Sequence, residues 1–291
     1  MSENRSIKQI IPAFKVNMGG ILLDQALPAR GTDQIDPFLL VHHLDHKYPA
    51  GQKQQDVGVP PHPHRGFAPV SFVFKGGVHH RDSLGKSSVI YGGGTQWMHA
   101  GKGIVHSERP AKEVAQKGES WELIQFWVNV PAKYKFTEPS YKPLTYEDTP
   151  VMKSADGEVE VGIVSGKVNT VTGPIDTFSP ILALRMVYNK GGKVRLPVPE
   201  GYNAFIYLLD GGLHIAGNPV KAKDLVWLAN DGGYVETEAL ENTQAILLAG
   251  EPINEPVATY GPFVMNSQAE VLQAVRDYQM GKMGVLNETF D

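Results

Sequence analysis

Cysteine is absent from the 291-residue chain. That absence removes disulfides, iron–sulfur clusters, thiolate zinc sites and a cysteine nucleophile together. No stretch approaches the roughly 20 apolar residues that a membrane-spanning helix requires, so no membrane partner is expected. The opening MSENRSIKQIIPAF is polar and has no apolar run. No secretory signal is therefore expected, and cytoplasmic residence is the default. Positive charge is in short supply: 27 Lys and Arg face 31 Asp and Glu, for a formal net charge of −4. Such a chain carries no electrostatic footprint for nucleic acid.

What is present points to short strands. The 31 glycines and 21 prolines are spread along the chain, as expected where many strands are joined by tight turns. With 42% hydrophobic and 20% charged residues the composition is that of a globular protein, and the length suits one large or two ordinary domains. Residues 7–30 read as early strands around a Gly19–Gly20 turn. The run at 36–46 begins as a strand and places His42, His43 and His46 in a polar setting, read as solvated loop histidines. WELIQFWVNVP at 121–131 alternates Leu123, Gln125, Trp127 and Asn129 against Ile124, Phe126, Val128 and Val130. Pro131, Pro139, Pro143 and Pro150 then disfavour regular structure and suggest a domain boundary. Residues 158–250 repeat the β rhythm with His214 as their single histidine, read as structural.

The expected organisation is an N-terminal metal-binding domain over 1–135, a Pro-rich linker over 136–150 and a C-terminal domain over 151–291. The end changes period. Ser267 with Glu270 forms a capping box, and Val271, Leu272, Val275 and Tyr278 give a helical stripe stopped by Gly281.

Chemistry concentrates between Pro60 and Pro110. PPHPHRGF opens this stretch and QWMHAGKGIVHSERP closes it. His62 and His64 are two residues apart, as are His106 and Glu108, and residues i and i+2 share one face of a strand. Two such strands would aim three imidazoles and one carboxylate at a single point. A mixed His/carboxylate set with open positions suits a redox-active ferrous ion that admits substrate and oxygen. The same donors would also hold Mn, Ni, Cu, Co or Zn. His79 and His80 are adjacent, so only one of them can look inward. The direction of His99 is left open by the AGKG turn.

DPFLL (36–40), HPHRGF (62–67), the Gly76–Gly77 turn, QWM-AGKGI-H-E (96–108) and the stretch 250–284 containing GPFVMN appear in that order. Through these pieces the chain resembles the pirin family of the cupin superfamily over nearly its whole length. The resemblance implies an all-β fold of two tandem jelly-roll-type cupin barrels with a C-terminal helix, the C-terminal segment returning to pack near the first domain. It also implies one metal, usually iron, on His62, His64, His106 and Glu108. Two positions depart from the usual pattern: Ala68 replaces a cupin glutamate, and His99 stands in QWMHAG.

Two functions follow from the resemblance. The first is a quercetin 2,3-dioxygenase-type oxygenase acting on a flavonol-like molecule and O₂, with Glu108 as ligand and general base. In that reading Phe67, Phe72, Phe74, Trp97 and Met98 are candidates to line an aromatic-binding mouth. The alternative is a non-enzymatic, iron-dependent redox sensor that binds transcription factors or metabolic enzymes. A monomer is expected in either case.

Overall fold

A computed structural model of the chain describes residues 3–290. The chain folds into two compact units, each drawn from more than one stretch of sequence. One is made of Met1–Val16, Asp24–His42 and Glu147–Pro252, the other of Asn17–Leu23, His43–Tyr146 and Ile253–Asp291. The fold is all-β and bicupin, with its longer helix near the C-terminus.

Each unit follows one plan, a seven-stranded sheet and a four-stranded sheet. The unit holding the histidine motifs carries most of a large sheet that runs Ser140–Leu144, Thr95–His99, Phe67–Lys75, Ser120–Asn129, Phe38–Lys47, Ile21–Leu27 and Phe14–Met18, the last three strands each continuing across a cut in the sequence. Its small sheet runs Val59–His64, Ile104–Pro110, Gly77–Asp82 and Ser87–Tyr91. In the other unit the large sheet runs Ile7–Pro12, Asp224–Leu228, Asn203–Leu208, Thr243–Gly250, Ile181–Tyr188, Val159–Ser165 and Val151–Lys153. Its small sheet runs Lys193–Pro197, Tyr234–Ala239, Gly212–Ile215 and Asn218–Lys221. Inward alternation makes the second unit a dry barrel, filled by Val161, Ile163, Leu184, Leu196, Ile206 and Leu247 among others.

The units do not follow the expected cuts at 135 and 151. The strand Ile7–Pro12 pairs antiparallel with Asp224–Leu228, so the N-terminus belongs to the unit of residues 147–252. The supposed linker contains Ser140–Leu144, which pairs with Thr95–His99. Proline density misleads here because this is the outermost strand of its sheet, where Pro143 sacrifices no obligatory ladder bond. Residues 253–291, helix included, belong with 43–146 rather than with 151–252.

That returning segment is anchored by specific contacts. Gly66 has φ +87°, and a Cβ there would meet the Val264 carbonyl oxygen at 2.0 Å, so only glycine fits. The buried Lys135 donates to the carbonyls of Gly66 (2.7 Å) and Val264 (3.1 Å) and to Asn129 Oδ1 (2.6 Å). Helix Gln268–Gln279 is capped as expected: Ser267 Oγ accepts the Glu270 N–H. Its buried face is Val271 and Ala274, with Asp277 accepting from Arg65 Nη1 at 2.9 Å, whereas Leu272 points to solvent.

Candidate metal centre

The small sheet of the first unit builds the site. Pro60, Pro61 and Pro63 sit on its edge strand, Val59–His64, where missing N–H donors cost little. Alternation then sends His62 and His64 to one face. Register places His106 opposite His62 and Ile104 opposite His64. A bulge separates His106 from Glu108, which faces Val59 on this side and His80 on the other.

The three imidazoles converge. Ring centroids are 4.4 Å apart for His62–His106, 4.8 Å for His62–His64 and 5.0 Å for His64–His106. Their ligand atoms lie within 4.8 Å of one another. Glu108 stands outside that set, with both carboxylate oxygens held: Ser71 Oγ donates to Oε1 at 3.1 Å and Gln125 Nε2 to Oε2 at 2.8 Å.

Each ring is oriented through Nδ1. His62 donates Nδ1–H to the Pro60 carbonyl at 2.8 Å, and His64 donates to the Pro262 carbonyl at 3.3 Å. A carbonyl only accepts, so in both neutral rings Nε2 carries the lone pair. His106 Nδ1 lies 3.5 Å from His80 Nδ1, a long hydrogen bond.

The residues fit a metal ion. The Nε2 atoms of His64 and His106 are buried and have no hydrogen-bond partner among the described residues. A buried acceptor left unpaired is costly, and one cation would satisfy both. Burial, and secondarily the neighbouring imidazoles, push the pKa values of His64 and His106 well below the usual range; burial lowers that of His62 as well. All three are thus kept in the neutral form a metal requires.

The other histidines fall elsewhere. His42, His43 and His46 lie on the strand Phe38–Lys47 and not on a loop. His43 is fully buried against Glu122 at 3.0 Å, because the strand continues past its apolar start. His80 is the inward member of its pair, while half-buried His79 meets Ser87 at 3.0 Å. His99 shares a strand face with Trp97 and meets Thr137 Oγ1 at 2.8 Å. That face is opposite to Gln96, whose cross-strand partner is the Ser71 that holds Glu108.

Of the proposed mouth residues, Phe67 faces the triad, 5.1 Å from the His64 ring. Phe72 and Trp97 pack around Phe126, and Met98 packs against Ala100 and Ile104. The second aromatic beside the triad is Trp127, 5.6 Å from His64 and 4.3 Å from Phe67. Its signal was the alternation that places it on the same face as Gln125. Asp82, Ser71 and Tyr141 had no motif to mark them.

Sequence comparison settles the family. The pirin model matches residues 21–128 and the pirin C-terminal cupin domain model matches residues 183–284. The chain belongs to the pirin family. Among its pirin relatives, pirin-like protein 2 of Arabidopsis thaliana is 36% identical over 96% of this chain and 85% of its own length. The crystal structure of quercetin 2,3-dioxygenase from Acinetobacter baumannii superposes with a TM-score of 0.90 at 32% identity, covering 97% of this chain and 99% of that one. The bacterial pirin YhhW of Escherichia coli, in complex with nickel(II), has a TM-score of 0.65 at 17% identity, covering 84% of this pirin and 99% of that chain. At that identity the likeness speaks for the fold alone.

Proposed function

We propose that this pirin is a metal-dependent oxygenase of the quercetin 2,3-dioxygenase type. His62, His64, His106 and Glu108 are the ligands, iron(II) is the ion and a flavonol is the substrate. One observation carries the reading: three imidazoles with ligand atoms within 4.8 Å of one another, two of them buried with unpartnered Nε2 atoms, in a chain 32% identical to a quercetin 2,3-dioxygenase. An imidazole and carboxylate donor set of this kind also suits other divalent ions.

When bound, the metal supplies Lewis acidity toward the substrate's 3-hydroxyl and redox contact with O₂. Glu108 takes the 3-hydroxyl proton as general base. Ser71 and Gln125 aim its carboxylate, and each oxygen keeps one further lone pair, which leaves one for the metal and one for that proton. Trp127 Nε1 donates to Gln125 Oε1 at 3.3 Å and so steadies the amide that holds Glu108. Phe67 and Trp127 offer flat apolar faces beside His64, suited to a planar polyphenol.

The test is oxygen uptake with quercetin after anaerobic loading with Fe(II), run beside His106→Ala and repeated with Mn, Ni, Cu, Co and Zn. Quercetin-dependent uptake that vanishes in the variant is expected. Metal bound at full stoichiometry with no uptake under any ion would overturn the oxygenase reading and favour the sensor.

A further inference from the structure

We infer that Asp82 and His80 form a positioning relay that sets the tautomer of His106 and keeps its Nε2 open to the metal. The inference rests on the metal-site reading above and adds two residues to it. His62 and His64 each give Nδ1–H to a backbone carbonyl, which can only accept, so their tautomers are decided by the main chain. The partner of His106 is of another kind. Its Nδ1 faces an imidazole, which can either donate or accept.

Asp82 decides between the two states. His80 Nε2 lies 2.9 Å from Asp82 Oδ2, and a carboxylate accepts, so in the neutral ring the His80 proton sits on Nε2. His80 Nδ1 is then a lone pair. His106 must donate Nδ1–H to it, and the His106 lone pair is left on Nε2, aimed at the other two imidazoles. Each step fixes the next.

The relay is held rigidly. Asp82 Oδ1 accepts the backbone N–H groups of Leu84 at 2.9 Å and Lys86 at 3.0 Å, so the carboxylate cannot rotate freely. Tyr141 stacks on His80 with centroids 3.8 Å apart and planes within 2°, and its hydroxyl meets Ser88 Oγ at 2.7 Å. Ser88 is the cross-strand partner of His80. Asp82 and His80 are both nearly fully buried, so water does not compete for these bonds.

Asp82→Asn reverses the relay without changing charge on the rings. The amide oxygen keeps the two turn N–H groups, and the amide nitrogen now donates to His80 Nε2. The His80 proton moves to Nδ1, His106 Nδ1 becomes the acceptor, and the His106 proton moves to Nε2, where it blocks the metal.

Two readouts on the full chain test this. In the metal-free protein, long-range ¹H–¹⁵N spectra should show His106 as the Nδ1–H tautomer, changing to Nε2–H in Asp82→Asn. Titration with Co(II), followed by its visible absorption, should show affinity weakened roughly 10–100-fold, the scale of outer-shell partners of metal-bound histidines. His80→Phe keeps the stack on Tyr141, removes the acceptor and should weaken Co(II) similarly, which covers failure of the Asn variant to fold. Co(II) affinity within twofold of wild type in folded variants, or an unchanged His106 tautomer, would overturn the relay. If wild type and His62→Ala take up Co(II) equally, the metal-site reading fails, and the tautomer spectra still judge the relay by themselves.

Discussion

The two small sheets run the same circuit with different side chains. On the histidine-bearing sheet the inward face reads His62 and His64 on the edge strand, His106 and Glu108 on the next, His80 and Asp82 on the third. At the matching places the other sheet carries Val194 and Leu196, then Val235, Thr237 and Ala239, then Leu213 and Ile215, all buried. None of these is an imidazole or a carboxylate. Thr237, the polar one, is satisfied by the Tyr188 hydroxyl at 2.9 Å.

One backbone thus supports both a dry core and a polar site, but the polar version needs far more support. Aliphatic side chains need only volume and alternation. Buried imidazoles and carboxylates need a partner for every polar atom. Here those partners are Ser71, Gln125, His80, Asp82 and two backbone carbonyls, and the Nε2 atoms of His64 and His106 are left without a partner among the described residues.

The largest effect is expected from removing one histidine of the triad. His106→Ala should lose metal, with more than the roughly 100-fold loss typical of outer-shell changes, while the near-ultraviolet signature of the other barrel persists. Metal analysis and circular dichroism check this; stoichiometric metal in the variant would remove His106 from the ligand set. Next in size, Glu108→Gln should retain metal and lower turnover by about 10²–10⁴, the usual range for a general base. Normal turnover would place the base elsewhere.

On the dry side, Leu196→Ala should cost about 2–5 kcal/mol through its cavity and leave Co(II) affinity in the other unit unchanged. Urea unfolding beside metal titration reads both quantities. A parallel loss of metal affinity would show that the two cores are not independent.

The smallest effect concerns pH. Burial, with Lys135 second, lowers the His99 pKa to about 4, and burial likewise lowers His42 and His79 to about 4. Between about 4 and the ordinary value of about 6.5 the unfolded chain binds more protons than the folded one. Stability of the metal-free protein should therefore fall as pH drops through that window. Urea midpoints at pH 7.5 and pH 5.0 should differ, and His99→Gln should narrow the gap; an unchanged gap would remove His99 from the account.

The histidine cluster and the fold class were legible in the chain. An i,i+2 pair on a strand shares a face whatever lies around it, and HPHRGF with GPFVMN carries the family. Trp127 was also readable, since its alternation with Gln125 was plain. Phe72 and Trp97 misled because an aromatic residue near a motif reveals nothing of its strand face until register is known. The domain boundary misled for a related reason: an edge strand tolerates proline, so SYKPL looks like a linker until its partner Thr95–His99 is in place.

By itself, then, the sequence determined which side chains can ligate, on which strands they alternate and to which family the chain belongs, all of which depend on neighbours a few residues apart. Only the tertiary structure decided which nitrogen of each histidine keeps a free lone pair. The carbonyl that orients His64 is that of Pro262, 198 residues away, and His80 reaches His106 across 26 residues. Hydrogen-bond partners at such separations are chosen by chain return and strand register, and neither leaves a local pattern to read.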